Sequence, residues 1–403
     1  MLASKFAPLQ IVDVRRFWIA RVVSVVGDKI YYVVLTAHVF TQSQSALAVS
    51  IMLLCRTAPA LLLSPLAGVL GDRLNRKMLM CVSDITRAVV LVALAYATEL
   101  WQIYVAVFSI GALGTLFAPS AGALLPSLVE RDMLKDTNAL FSVGTQLAGM
   151  VGPSLGGLLL GYLHHQWAFI LNALSFIVSA SLVLSLAVTS SPGHTARTRF
   201  WSDSVLGIRE VLSCPRYRLI ALSNAVMMLG AGFLNALLFV FASRELGATA
   251  VHYGFMSSAI PAGALVGAVI GARLRVTSTT QLTVLMISGL ALTGFGVAAM
   301  GVLRSIAASI AFLSVIGAGN SIYNIFSLTV MQASLPNSVL ARAHGFLSTA
   351  TTTASLLMLA LAGALGDSFG TPILFVTAGA ISIVYSLLVI RRLPAEDAVV
   401  SLS

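Results

Sequence analysis

Charge is what this 403-residue chain has least of: Asp, Glu, Lys and Arg together make up 9% of it. A soluble protein of this length needs a far more polar surface, so a water-soluble fold is excluded. Acidic residues are scarcer still, 14 against 24 Lys and Arg. Cysteine is nearly missing, and Cys55, Cys81 and Cys214 stand far apart. That excludes a disulfide framework and a thiolate metal site and leaves all three as packing residues. No phosphate-cradling glycine loop, nucleophile elbow, metal-ligand spacing or paired carboxylates can be found. Neither an enzyme nor an ATP-driven machine is expected, and no cofactor or metal.

Apolar sequence fills the chain instead, with 58% hydrophobic residues and a mean hydropathy of +0.96. Twelve helix-length segments are bounded by charges or polar turns: 18–39, 47–70, 79–98, 103–126, 138–160, 167–189, 217–240, 251–272, 280–301, 306–330, 343–366 and 371–390. Their length and glycine content predict an all-α integral membrane protein, because the strands of a barrel run to about ten residues and alternate in polarity.

The basic residues orient these spans. With both termini cytoplasmic, 18 Lys and Arg fall on the cytoplasmic side, Arg244 and Arg304 fall outside, and Arg21, Lys29, Arg56 and Arg87 lie within helices. The pI near 10 is then an anchoring pattern against membrane lipid and not a nucleic-acid footprint. No small-x-small cleavage site follows the first span, so no removable signal peptide is expected.

The longest polar stretch, residues 190–218, separates the sixth and seventh spans. It predicts a six-helix bundle over 1–189, a cytoplasmic linker over 190–216 with a short amphipathic helix from Trp201 to Leu212, and a second bundle with a short tail over 217–403. At an offset of 206 residues Leu134 aligns with Leu340 and Gly157 with Gly363. Six plus six helices with a parallel repeat fit two bundles that rock about a central site, the plan of a membrane transporter.

Two motifs stand out. GVLGDRLNRK, 68–77, gathers Asp72, Arg73, Arg76 and Lys77 at a tight cytoplasmic turn, either as a switchable cluster that holds helix ends together or as a plain inside anchor. In GTQLAGMVGPSLGG, 144–157, Gly149, Gly152, Gly156 and Gly157 clear side chains from roughly one helix face and Pro153 frees a backbone carbonyl. That makes a bendable, closely packed seam, or ordinary small-residue packing.

PLAGVLGDRLNRK, 65–77, resembles the loop signature of the major facilitator superfamily, and 144–157 resembles its antiporter motif. ARVVSVVGDKI, MCVSDITRAVV and ALLPSLVERDMLKDTNAL are similar to the drug-exporting branch that includes macrolide-efflux and enterobactin-exporting proteins. The resemblance implies the major facilitator fold, a monomer in the bacterial cytoplasmic membrane, and proton-coupled multidrug or antibiotic efflux by alternating access, the alternatives being a dedicated exporter of a siderophore or other endogenous metabolite and, after it, an importer or lipid-handling carrier of the same fold. It makes Asp72 a gating residue with Arg73 and Arg76 as basic partners, and Asp132 an acidic partner from the loop before the fifth helix. Asn75 stands where many members carry glycine, and GARLRV, 271–276, lacks the aspartate. Gln332, Pro336 and Arg342 match the branch before the eleventh helix, while Ala341 replaces a usual glycine.

Only two acids lie inside spans, Asp28 and Asp84. Intramembrane ionisable groups are costly and face a partner or a water-filled cavity. Asp28 is the expected proton carrier, with Arg56 or Lys29 as the charge that holds it ionised; the alternative is a static ion pair locking two helices. Asp84 and Arg87, three residues apart, share a helix face and with Arg21 extend the gating network or pair locally. His164 and His165 are expected in an outer loop. The polar residues Tyr31, Tyr32, Gln146, Asn172, Asn224, Asn235, Asn320, Tyr323 and Asn324 are candidates for a substrate cavity or for interhelical hydrogen bonds, with 320, 323 and 324 on one face. So apolar a cavity fits a hydrophobic or amphipathic small molecule, with protons as the driving partner.

Overall fold

The structure, a computed structural model, describes residues 7–130, 132–187, 214–274, 276, 278–335 and 337–393. Its twelve long helices are α1 Val12–Ser43, α2 Ala46–Arg73, α3 Arg76–Ala95, α4 Leu100–Leu124, α5 Leu134–Tyr162, α6 His165–Leu184, α7 Pro215–Leu246, α8 Ala250–Arg273, α9 Thr279–Val302, α10 Ile306–Ser334, α11 Asn337–Phe369 and α12 Thr371–Arg392. All twelve are long and apolar enough to cross a membrane. In that setting apolar side chains belong on the outside too, and Val89, Val105, Val151 and Val384 are all exposed.

Local chemistry sets the ends. Asn75 caps α3, its side chain accepting from the Met78 amide at 3.2 Å, so the departure from glycine at this position starts a helix. Glu99 and Gln102 form a capping box on α4, and Ser278 accepts from the Gln281 amide at 3.2 Å to cap α9. Gly247 ends α7 with φ 58°, a left-handed position that glycine adopts without penalty.

The chain forms two compact units. The first comprises Met1–Gln44, Ile51–Ala196 and Thr249–Ser258; the second comprises Ser45–Ser50, Arg197–Ala248 and Ala259–Ser403. Two short pieces therefore cross the halves read from the sequence: the start of α2 counts with the second unit and the start of α8 with the first. In unit 1, α1 packs on α5 and α6, and α3 on α4 and α6. In unit 2, α9 packs on α10 and α12, and α7 on α11 and α12. Each has its own apolar core, around Phe17, Met80, Phe117 and Leu124 in the first and around Tyr217, Met286, Tyr323 and Phe326 in the second. The expected amphipathic helix Trp201–Leu212 lies outside the described residues.

Candidate transport site in unit 1

Among the described residues, six Asp, Lys and Arg side chains lie well inside the helices, and all belong to unit 1: Arg21, Asp28 and Lys29 on α1, Arg56 on α2, Asp84 and Arg87 on α3. They form two different environments.

Asp84 is 0% and Arg87 6% exposed. Arg87 Nη2 donates to Asp84 Oδ1, while Ser179 on α6 donates from Oγ to Asp84 Oδ2 at 2.7 Å. The guanidinium lies 4.2 Å from the Phe176 ring centroid and 5.0 Å from that of Phe117, and Arg21 approaches the Phe117 ring at 5.6 Å. The i,i+3 spacing thus brings Asp84 and Arg87 together as expected, with Arg21 at the next aromatic contact. Both carboxylate oxygens have partners and the cation lies against two aromatic rings, so the pair is closed on itself.

Asp28 is different. It is half-buried, and Asn172 Nδ2 donates to its Oδ1 at 3.3 Å. Ser175 Oγ donates to Asn172 Oδ1 at 3.0 Å and so fixes the amide. The expected ion pair with Lys29 or Arg56 is not formed among the described residues. Arg56 instead lies over the Tyr32 ring, 4.6 Å from its centroid. Lys29 is one residue on, about 100° around α1, and Gly152 of α5 backs its stem: a Cβ there would come 2.5 Å from the Lys29 Cβ.

The small-residue stripe of α5 serves two neighbours, not one face. Gly152 and Gly156 admit α1, a Cβ on Gly156 lying 2.9 Å from the Ile30 carbonyl oxygen. Gly157 admits the first turns of α8, where a Cβ would lie 2.5 Å from the Ala250 oxygen and 3.0 Å from Gly254 Cα. Between them, Ser154 and Ser258 share a hydroxyl hydrogen bond at 2.7 Å. Gly149 and Pro153 are buried on the same helix.

Several polar candidates fall elsewhere. Tyr31 is buried, edge-on to Phe169 at 5.7 Å, and is no cavity-facing residue. Asn324 donates to Asn320 Oδ1 at 2.6 Å, but Tyr323 turns away into the core of unit 2 with its hydroxyl on the Ile220 oxygen at 3.4 Å. Residues 323 and 324 differ by about 100° around α10, so one can be core while the other is exposed. Asn224 accepts from the Thr351 hydroxyl at 2.9 Å, an interhelical bond within unit 2. Gln146 and Asn235 are exposed.

At the loop signature the side chains of Asp72 and Arg73 are outside the description. Arg76 donates to the Ala123 oxygen at 3.3 Å and Lys77 to the Leu186 oxygen at 2.6 Å, so these two tie α3 to the ends of α4 and α6. Asp132 is exposed and forms no ion pair among the described residues. His165 does not face bulk solvent alone: its ring stacks on His38 at 4.0 Å.

Sequence reasoning passed over Ser179, Phe117 and Phe176, which carry no signal as single residues in apolar helices. It also passed over Asp367, which lies near the end of α11. Its carboxylate accepts from the Ser45 hydroxyl at 2.8 Å, the Ala46 and Leu47 amides at 3.1 Å each, and Arg244 Nη1 at 3.0 Å. A residue 321 positions away thus caps α2. Asp367→Ala is expected to lower the unfolding free energy of unit 2 by about 1–2 kcal/mol, as loss of a helix cap does, measured by thermal melting in detergent. Ser45→Ala should cost less, because the two amides keep their carboxylate.

The model of the Transmembrane secretion effector family matches residues 3–403. An uncharacterized MFS-type transporter of Bacillus subtilis (strain 168), YfiS, is 26% identical over 384 residues, 92% of this chain and 90% of its own. The enterobactin exporter EntS of Shigella boydii serotype 18 is 24% identical over 360 residues, 87% of this chain and 85% of its own. Among solved structures, the nucleoside transporter NupG superposes with a TM-score of 0.76 at 13% identity, over 95% of this chain and 100% of that one. The peptide transporter POT in complex with sulfate gives 0.74 at 14% identity, over 94% of each chain. The twelve membrane-length helices among the described residues are thus matched over at least 87% of the chain by transporters. The chain is a multi-pass membrane transporter of the major facilitator superfamily and belongs to its Transmembrane secretion effector family.

Proposed function

We propose that this protein exports hydrophobic or amphipathic small molecules from the cytoplasm by alternating access, coupled to inward proton flow through Asp28, as a multidrug or antibiotic exporter. The observation that carries this reading is the contrast between the two interior acids. Asp84 is sealed by Arg87 and Ser179, whereas Asp28 is half-buried and held by a single amide at 3.3 Å. An acid this deep in a membrane span is costly unless it faces a partner or a water-filled cavity, which is why it marks a transport pathway in this reading. Asp72, Arg73 and Arg76 serve as the cytoplasmic gate in this reading, with Asp132, Arg21, Asp84 and Arg87 supporting it. The protein works as a monomer in the bacterial cytoplasmic membrane with both termini inside, needing no cofactor.

A second reading, a dedicated exporter of one endogenous metabolite such as a siderophore, is favoured by the enterobactin exporter among the relatives.

The test is cargo and proton flux in sealed vesicles under an imposed pH gradient, comparing the intact chain with Asp28→Asn. The expected outcome is uphill movement of several unrelated dyes by the intact protein and loss of only the proton-driven component in the variant. Normal coupling in a folded Asp28→Asn protein removes Asp28 from the mechanism. Release of a single iron-chelating metabolite with dyes untouched selects the second reading.

A further inference from the structure

The interior charges of unit 1 do not balance. Asp84 is fully taken up by Arg87 and Ser179, which leaves three cations, Arg21, Lys29 and Arg56, and one carboxylate, Asp28, whose hydrogen bond comes from an amide and not from any of them. Neither Lys29 nor Arg56 makes an ion pair or a side-chain hydrogen bond among the described residues. Arg56 lies over the Tyr32 ring, and Tyr32 is one turn along α1 from Lys29, so the two cations approach the same stretch of α1. Lys29 and Arg56 are both half-buried.

Depth rules out anchoring as the explanation. By the rise of an α-helix, Lys29 stands more than about 20 Å from either end of α1 and Arg56 about 15 Å from the nearer end of α2. A lysine or arginine stem is too short to carry its head to the interface from there. Packing does not explain the charge either, because leucine or methionine would fill both positions at lower cost in hydrocarbon. Two unpaired cations held near each other on adjacent helices are stabilised by an anion that arrives from outside the protein. The Arg56 guanidinium carbon stands 4.6 Å from the Tyr32 ring centroid, a guanidinium suits a planar, two-oxygen acceptor, and Gly152 of α5 lies against the Lys29 stem.

We infer that the cargo is an amphipathic organic anion, an apolar body bearing a carboxylate or a similar oxyanion, and that Lys29 and Arg56 are its charge-reading residues. This rests on the reading of the chain as an exporter and not on its coupling to protons. Asp28 is then the negative neighbour that keeps the empty site from carrying three uncompensated charges, and Tyr32 a positioning residue for Arg56.

The experiment is calorimetric titration of the purified full chain in detergent with matched probes: naphthyl- and anthracenylbutanoate, the corresponding butanols and the corresponding butylammonium ions. The butanoates are expected to bind about tenfold or more tightly than the butanols, and the ammonium ions most weakly. Lys29→Gln and Arg56→Gln should each abolish that preference in a protein that still melts cooperatively, and Lys29→Arg should keep it. Equal binding of butanol or ammonium, a preference that survives both glutamine variants, or no butanoate binding overturns the inference. Dye efflux is read separately. A chain that expels neutral dyes but ignores the butanoates keeps the exporter reading and loses this one, and a chain that binds butanoates but moves nothing does the reverse.

Discussion

Asp84→Ala is expected to lower stability by about 3–5 kcal/mol, the cost of leaving a buried cation without its partner. Arg87 is 6% exposed and boxed by Phe117 and Phe176, so the orphaned guanidinium has no route to water. Ser179 loses its acceptor at the same time, which loosens α6 from α3. The measurement is thermal or denaturant unfolding in detergent. Asp84→Asn should cost less, because an amide oxygen still accepts from Arg87 or Ser179. The pair Asp84→Leu with Arg87→Met should recover most of the loss, since an apolar pair of similar volume removes both the charge and its unmet demand. If Asp84→Ala melts with the intact protein, the closed ion pair is not what holds α3 to α6. The contrast with Asp28→Asn is itself informative: that change should leave the melt nearly unmoved, because Asn172 stays able to bond a neutral amide.

Gly157→Val is expected to cut transport sharply while the protein is still produced and membrane-inserted. The first branched carbon would lie 2.5 Å from the Ala250 oxygen, and backbone atoms of Gly254 stand at 3.0 and 3.2 Å, so no side chain can swing aside to make room. Overpacking of this kind costs about 1–3 kcal/mol. Since that cost falls only on conformers in which α5 and the start of α8 touch, their population should drop by about 5- to 150-fold. Cargo flux in vesicles reads the effect. Gly157→Ala should give a partial loss, whereas Gly161, which meets only the Val251 side chain, should accept alanine with little change. Full activity in Gly157→Val would show that this close approach is not visited during transport.

The helices themselves were legible because each apolar run is stopped by charge or a polar turn, and a bilayer imposes the length. Their ends were less so: α1 runs Val12–Ser43, well past the 18–39 segment, since Asp13, Arg15 and Arg16 are tolerated in a helix that leaves the membrane. Within the site, the Asp84–Arg87 pair was readable from spacing along one helix. The partner of Asp28 was not, because Asn172 is 144 residues away and which side of α6 faces α1 is not written in an apolar helix. Amphipathicity tells a soluble helix how to turn, and helices apolar all round lack that cue. The same gap put Tyr323 with Asn320 and Asn324 when it belongs to the core, and hid Asp367, whose role depends on meeting α2.

The confinement of interior charge to unit 1 has an electrical consequence. Among the described residues the helices of unit 2 carry Asp, Glu, Lys and Arg only near their ends, while unit 1 holds four cations against two carboxylates at depth. Membrane voltage does work of about 2.3 kcal/mol on each elementary charge carried across 100 mV. Among the described residues it therefore finds charge at depth to act on in unit 1 and none at depth in unit 2. With four cations against two carboxylates at depth, the anionic cargo inferred above would lower the net interior charge of unit 1 from +2 to +1 and so weaken the force that the voltage exerts on it.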